Sequence, residues 1–236
     1  VLVLRPEPGA SETAARAAAT GLAVIKAPLF TIAPRPWTIG RAPGPVIATS
    51  ANALRHGGAA LAALTGRRLY AVGAATARAA RAAGFADIVT GPGDAAALVP
   101  LLRADGVTAA LRLAGADHVA IDPPEIRIAT RIVYAAEAAT ALPPAAAAAL
   151  RDGFVALVHS PAAGRLLAAL REDDGVPITV AAISAAAAAA CGTIARRIVV
   201  ADAPRDDALL AAAARLCDQA CPSGDDSDED HGRDRG

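Results

Sequence analysis

The chain has 236 residues, with 23 Lys+Arg balanced by 23 Asp+Glu. That length suits one large α/β domain or two small ones, and the zero net charge excludes the basic surface that gathers nucleic acid or anionic lipid. Hydrophobic residues reach 54%, yet aromatics contribute only 3% and Met is absent. Alanine fills the difference, favouring helices while adding little to membrane insertion.

The chain opens with a predicted strand from Val1 to Leu4, closed by an Arg5-Pro6 turn. It shows no basic flank, long apolar core or small-residue cleavage site of a signal peptide, and the absent initiator Met reads as a trimmed start. A second strand is predicted from Leu22 to Ala27. From residue 46 one pattern recurs: a β-rich run, a turn of Ser, Thr, Gly or Pro, then an Ala/Leu/Arg helix. The predicted strands are Val46 to Thr49, Leu69 to Val72, Asp87 to Thr90, Ala109 to Leu113, Val155 to Val158, Ile178 to Ile183 and Ile198 to Ala201. Such alternation predicts parallel sheets with helices on both faces. The alanine-rich stretches are interrupted by Pro143-Pro144, Ser184 and Gly192, so no apolar run of about 20 residues is expected to cross a membrane. A cytoplasmic protein is expected. Beyond Cys221 the chain holds no apolar residue to bury, and 221–236 is predicted to be a disordered acidic tail.

An internal resemblance organises these strands. Val46 to Arg55 resembles Leu157 to Leu166, Leu69 to Thr76 resembles Val180 to Ala187, and Asp87 to Leu98 resembles Ile198 to Leu209. A fourth unit around Ala110 to Gly115 follows the first set, whereas its counterpart, Leu2 to Pro6, stands at the start of the chain. Two similar parallel-sheet α/β domains joined by a two-stranded hinge are therefore expected. The first is discontinuous, made of residues 1–31 and 140–220, and the second, 36–131, is inserted into it. Residues 32–35 and 132–139 form the outgoing and returning linkers.

Each βα unit places small polar residues at a strand's carboxyl end: Thr49, Ser50 and Asn52, Gly73 with Thr76, Gly91 to Asp94, Ser160-Pro161, and Ser184. Ligands bind along that edge of open parallel sheets, and free amide N–H groups there favour anions. The same residues are also ordinary helix caps, worth about 1 kcal/mol each, and both readings remain open. The sequence carries no Gly-rich dinucleotide fingerprint, no lysine phosphate loop (Lys26 is the single lysine) and no Gly-x-Ser-x-Gly elbow. His56, His118, His159 and His231 lack metal-ligand spacing. The three cysteines, Cys191, Cys217 and Cys221, are an odd set without neighbouring histidines, which argues against both disulfides and a metal site. No cofactor or metal is expected. Adjacent strand residues point to opposite faces, so His159 and Ser160 make an awkward nucleophile–base pair, and His159 is read as an incidental cleft or core histidine.

Taken in order, Leu4-Arg5-Pro6, Thr49 to Asn52, Tyr70 to Gly73 with Thr76, Gly84-Phe85, Gly91 with Asp94, Val133-Tyr134, Ser160-Pro161, Ala182 to Ser184 and Ala203-Pro204 resemble the bacterial uroporphyrinogen-III synthases. The resemblance covers nearly the whole chain except the acidic tail. It implies two α/β domains with an active site in a cleft, and a reaction that closes hydroxymethylbilane to uroporphyrinogen III with inversion of ring D. Tyr134 matches the family tyrosine proposed to act on the leaving hydroxyl, or else packs as a linker aromatic. Arg5 matches the family's Arg-Pro turn and either pairs with a substrate carboxylate or anchors the first turn. Thr49, Ser50, Asn52, Gly73, Thr76, Ser160 and Ser184 are the expected substrate-binding positions, in a monomer whose partner is hydroxymethylbilane rather than nucleic acid or membrane. Two turns depart from the family pattern. Ser184 is followed by alanines rather than the usual Gly and Thr, and Leu111-Arg112-Leu113-Ala114-Gly115 replaces a Leu-Arg-Gly turn, which leaves Arg112 outside the expected ligands. A non-catalytic two-domain binder of a small anion suits the same fold. It is set aside because the family motifs occur in order and no export signal is read.

Overall fold

The computed structural model describes residues 1–171 and 176–219. The predicted acidic tail lies outside them. In chain order the elements are β1 (Leu2–Val3), α1 (Gly9–Ala19), β2 (Ile25–Lys26), β3 (Phe30–Pro34), β4 (Val46–Ala48), α2 (Ala51–Arg55), β5 (Leu69–Ala71), α3 (Ala74–Ala82), β6 (Ile88–Thr90) and α4 (Leu98–Ala104). They continue with β7 (Ala109–Gly115), β8 (Arg127–Ala138), α5 (Pro144–Arg151), β9 (Ala156–Val158), α6 (Pro161–Ala169), β10 (Ile178–Ala182), α7 (Ala185–Ala189), β11 (Ala195–Val200) and α8 (Asp206–Asp218). The chain divides into two compact units. Unit 1 combines Val1–Leu29 with the described residues from Thr140 onward, and unit 2 is Phe30–Ala139.

Unit 1 holds a parallel sheet ordered β11-β10-β9-β1-β2. Unit 2 holds β3-β8-β7-β4-β5-β6, parallel except where β3 runs against β8. The two orders share one plan: β9, β10 and β11 correspond to β4, β5 and β6, and β1 takes the place of β7. The repeated sequence segments are thus three neighbouring strands in each sheet, and the first strand of the chain completes the sheet of the C-terminal half.

The strands are short, and the central ones are buried on both faces. Val46, Ile47, Ala48, Leu69, Tyr70 and Ala71 all have no exposed surface, as expected of parallel strands covered on both sides. The period of two splits them cleanly. In unit 2, Val46, Ala48, Leu69, Ala71, Leu111 and Leu113 pack with Ala53, Leu54 and Ala77 of α2 and α3, while Ile47, Tyr70 and Ala110 pack with Leu98 and Leu102 of α4. In unit 1, Val1, Val3, Leu157 and Ala181 meet Ala10 and Ala17 of α1 and Leu209, Leu210, Ala213 and Leu216 of α8. Small side chains let elements approach closely. A Cβ on Gly164 of α6 would lie 2.9 Å from the Ala187 carbonyl oxygen of α7.

Several boundaries differ from the sequence expectation. Only Ile25–Lys26 of the predicted 22–27 strand joins the sheet, because Gly21 turns at φ +82 and the Leu22 amide closes on the Ala17 carbonyl, ending α1. The segments expected as linkers are themselves strand. β3 pairs with Tyr134 to Ala138, and β8 continues without a break from Arg127. The run Arg127 to Tyr134, rich in Ile, Thr and Val, is what carries it. Between β7 and β8 the expected helix is missing, and Pro123-Pro124 supplies the reason, since proline cannot donate to a helical ladder.

Candidate functional site

In unit 2 the connections leave β4 and β7 in opposite directions, so these neighbouring strands flank the switch point at which open α/β sheets form ligand crevices. A cavity of about 390 Å³ lies there, lined by Thr49, Ser50 and Asn52 after β4, by Arg112 and Gly115 to Val119 from β7 and its following loop, and by Tyr134 on β8, with Ile32, Ala95 and Ala136 completing the wall.

Each side chain is placed by an identifiable local device. Ser50 is extended and caps α2, its Oγ accepting from the Asn52 amide at 3.1 Å. Tyr134 owes its position to a bulge. Ala114 pairs with Ile132 but Gly115 pairs with Tyr134, so one residue of β8 is skipped, and such bulges re-aim side chains beside sites. The tyrosine ring then lies over Gly115, where an added methyl would fall 2.5 Å from Cζ. His56 lies near the same ring, tilted, with ring centroids 6.4 Å apart. His118 turns Nδ1 to the Gly115 carbonyl at 2.9 Å; because a carbonyl only accepts, Nδ1 carries the proton.

Arg112 is 2% exposed. Its Nη2 donates to Thr49 Oγ1 at 3.3 Å, and its Nε has no hydrogen-bond partner. Burial pushes its pKa down, an effect partly opposed by Tyr134, yet a guanidinium stays charged at neutral pH.

The equivalent switch point of unit 1 lies between β1 and β9. Here Asp206, the first residue of α8, is the hub. Its carboxylate accepts from Arg16 Nε and Nη2 at 2.8 and 2.5 Å, from Thr13 Oγ1 at 2.9 Å and from His159 Nε2 at 2.8 Å, with Arg5 Nη1 at 3.5 Å. Burial opposes ionisation of Asp206, but the bonds from His159, Arg16 and Thr13 outweigh it and hold the carboxyl below its ordinary range. Burial also pulls His159 down, against the bond to Asp206. Arg5 packs its guanidinium over Gly9, where a Cβ would come within 2.5 Å of Nε. Ser160 and Ser184 cap α6 and α7, each accepting from an amide three residues on at 3.2 Å.

The unit 2 cavity therefore gathers Thr49, Ser50, Asn52 and Tyr134. Gly73, the residue before α3, and Thr76, 3% exposed, stand one strand further along and outside its lining. Arg5, Ser160 and Ser184 belong to unit 1. The sequence reading missed Arg112, Asp117 and His118 as cavity residues. A charge flanked by Leu111 and Leu113 within a strand was the available signal for the first; the others sit in an irregular loop that announces nothing. His159 bonds Asp206 while Ser160 Oγ is engaged with the Ala163 amide, so the two form no dyad. Among the described residues, no three His, Cys, Asp or Glu side chains gather as a metal site, and no helix is long and apolar enough to cross a membrane.

Two mainly parallel sheets, with polar groups collected where the strand order reverses, put the chain among the two-unit α/β proteins, and in open sheets of this kind that edge is the usual place for a ligand. Residues 11–211 match the family described as Uroporphyrinogen-III synthase HemD, and the chain belongs to that family. Its activity is that of a cyclising lyase of tetrapyrrole biosynthesis. The fold is similar to the crystal structure of uroporphyrinogen-III synthetase from Helicobacter pylori 26695, with TM-score 0.62 and 16% identity over 82% of this chain and 93% of that one. A mutant uroporphyrinogen III synthase from the extremely thermophilic bacterium Thermus thermophilus aligns with TM-score 0.50 and 17% identity, over 92% and 98% of the two chains. No curated protein matches the chain in sequence.

Proposed function

We propose that the chain converts hydroxymethylbilane to uroporphyrinogen III, losing water and inverting ring D, with Tyr134 as the acid that assists departure of the hydroxyl. The observation that carries this reading is the convergence in one cavity of the Tyr134 phenol with the Thr49, Ser50 and Asn52 turn. A phenol can give a proton to a departing hydroxyl, and a turn rich in hydroxyl and amide donors can hold a substrate carboxylate.

The linear tetrapyrrole carries eight carboxylates, and uncatalysed closure yields the unrearranged isomer. Attack must fall on the already substituted position of ring D, giving a spiro intermediate that fragments and recloses inverted. Control of conformation is therefore the main demand on the protein, and assistance to the leaving group comes second. Thr49, Ser50 and Asn52 hold the substrate in unit 2. Gly73 with Thr76, and Arg5, Ser160 and Ser184 in unit 1, are further binding positions. The enzyme works as a monomer in the cytoplasm on this small molecule, with no nucleic-acid partner, and needs no cofactor.

Freshly prepared hydroxymethylbilane incubated with the protein, without metal or nucleotide, should give type III product after oxidation and isomer separation. Type I alone, as in the blank, would overturn the assignment.

A further inference from the structure

We propose that Arg112 is the charged anchor of the unit 2 cavity, holding one carboxylate of the substrate beside Thr49. This rests on the substrate assignment above.

Three observations carry it. The guanidinium is almost wholly buried, at 2% exposure, so water does not solvate it as it does a surface arginine. No carboxylate among the described residues forms an ion pair with it, and Asp117, the acidic residue lining the same cavity, is exposed. The edge formed by Nε and Nη2 carries only the 3.3 Å bond to Thr49, with Nε unpartnered.

The hub of unit 1 shows what that edge is suited to. Arg16 uses the same two nitrogens to grip Asp206, at 2.8 and 2.5 Å. At the corresponding switch point of unit 2 the arginine is present and the carboxylate is not. A buried, unpaired charge costs stability and persists in a fold when something else requires it. Here that requirement is a carboxylate brought by the ligand, for which a guanidinium edge offers two parallel donors. Position supports the assignment. Ala110 and Arg112 share a face of β7 with Ile47 of β4, so the arginine is the last residue of an apolar row before the cavity opens, and its charge is delivered at the cavity wall.

The test compares Arg112→Met, Arg112→Lys and wild type in three measurements: melting temperature, KM and kcat for hydroxymethylbilane, and melting-temperature rise on adding uroporphyrin I, a stable octacarboxylate that does not turn over. Arg112→Met should melt at or above wild type, because it removes an unpaired buried charge. Its KM should rise roughly 10–100-fold, the loss expected for a hydrogen-bonded charge, with kcat changed far less. The uroporphyrin-induced rise should largely vanish. Arg112→Lys, with the charge but not the fork, should fall between the two. A lowered or non-cooperative melt of Arg112→Met with unchanged KM, or an undiminished response to uroporphyrin, would overturn the proposal and make Arg112 a structural residue. Wild type yielding only the type I isomer would instead refute the substrate assignment, so the two failures are distinguishable.

Discussion

Tyr134 and Gly115 form a single device. The bulge between Ala114 and Gly115 sets the tyrosine opposite a residue without a side chain, and the ring occupies the space a Cβ would take. Tyr134→Phe keeps that packing and removes only the hydroxyl. It should lower kcat roughly 10²–10⁴-fold, the range for a lost general acid, while the melting temperature stays close to wild type. Steady-state kinetics beside a thermal melt decides the matter; an unchanged rate with a lower melting point would make Tyr134 a packing residue. Gly115→Ala tests the support rather than the acid. The new methyl must displace the ring, so turnover should fall although the hydroxyl is still present, and Gly115→Ala combined with Tyr134→Phe should be little worse than Tyr134→Phe alone.

At the scale of elements, the turns after β4, β9 and β10 share one construction. A serine in extended conformation caps the following helix and accepts an amide hydrogen within it. Capping and the proposed ligand binding therefore draw on the same hydroxyls, and mutation separates them. Ser160→Ala should cost about 1 kcal/mol through the lost cap, a fall of roughly 2–4 °C in a chain of this size. Thr49→Ala and Ser50→Ala should each raise KM modestly and together raise it more, because backbone amides of the same turn remain to hold a carboxylate. If either single change abolished turnover with binding intact, measured by uroporphyrin titration, the division of roles between this turn and Tyr134 would be wrong.

At the scale of the whole chain, the Asp206 hub joins the two sequence-distant parts of unit 1. Thr13 and Arg16 of α1 come from its first segment, while His159 and Asp206 itself come from its second. Removing the carboxylate leaves two guanidiniums and an imidazole facing one another, so Asp206→Asn should cost on the order of 2 kcal/mol at pH 7. The direction with pH follows from the shifts. Asp206 is held below its ordinary range when folded, so its contribution is present above about pH 4 and is lost as pH falls through the folded value. His159, also displaced downward, resists protonation when folded, and it adds a loss that begins as pH falls below about 6.5. Melting temperatures between pH 3 and 8 should thus decline on the acid side, and Asp206→Asn should flatten the part below pH 4. An equally steep decline in that variant would place the acid sensitivity elsewhere.

What could be read without coordinates was local or repetitive. Alternation of β-rich runs with alanine helices predicts parallel α/β structure because each element must bury one face of a fixed period, and the repeated segments correspond to β4, β5, β6 and β9, β10, β11. Ser50, Ser160 and Ser184 were legible as turn residues because capping depends on the next three residues alone. Arg112 was not, because a charge between Leu111 and Leu113 has meaning only when the neighbouring strands and the helix-free loop after β7 define what surrounds it. The Asp206 cluster was hidden for the same reason. Its bonds span up to 201 residues, and no local spacing encodes a contact that forms when two distant segments enter one sheet. The sequence by itself thus determined the fold class, the order of the βα units and the serine turns that cap their helices, since these follow from nearest-neighbour sterics and burial. Only the tertiary structure decided which polar groups share a cavity and which charges, among the described residues, find a partner, because burial and pairing are properties of positions in space.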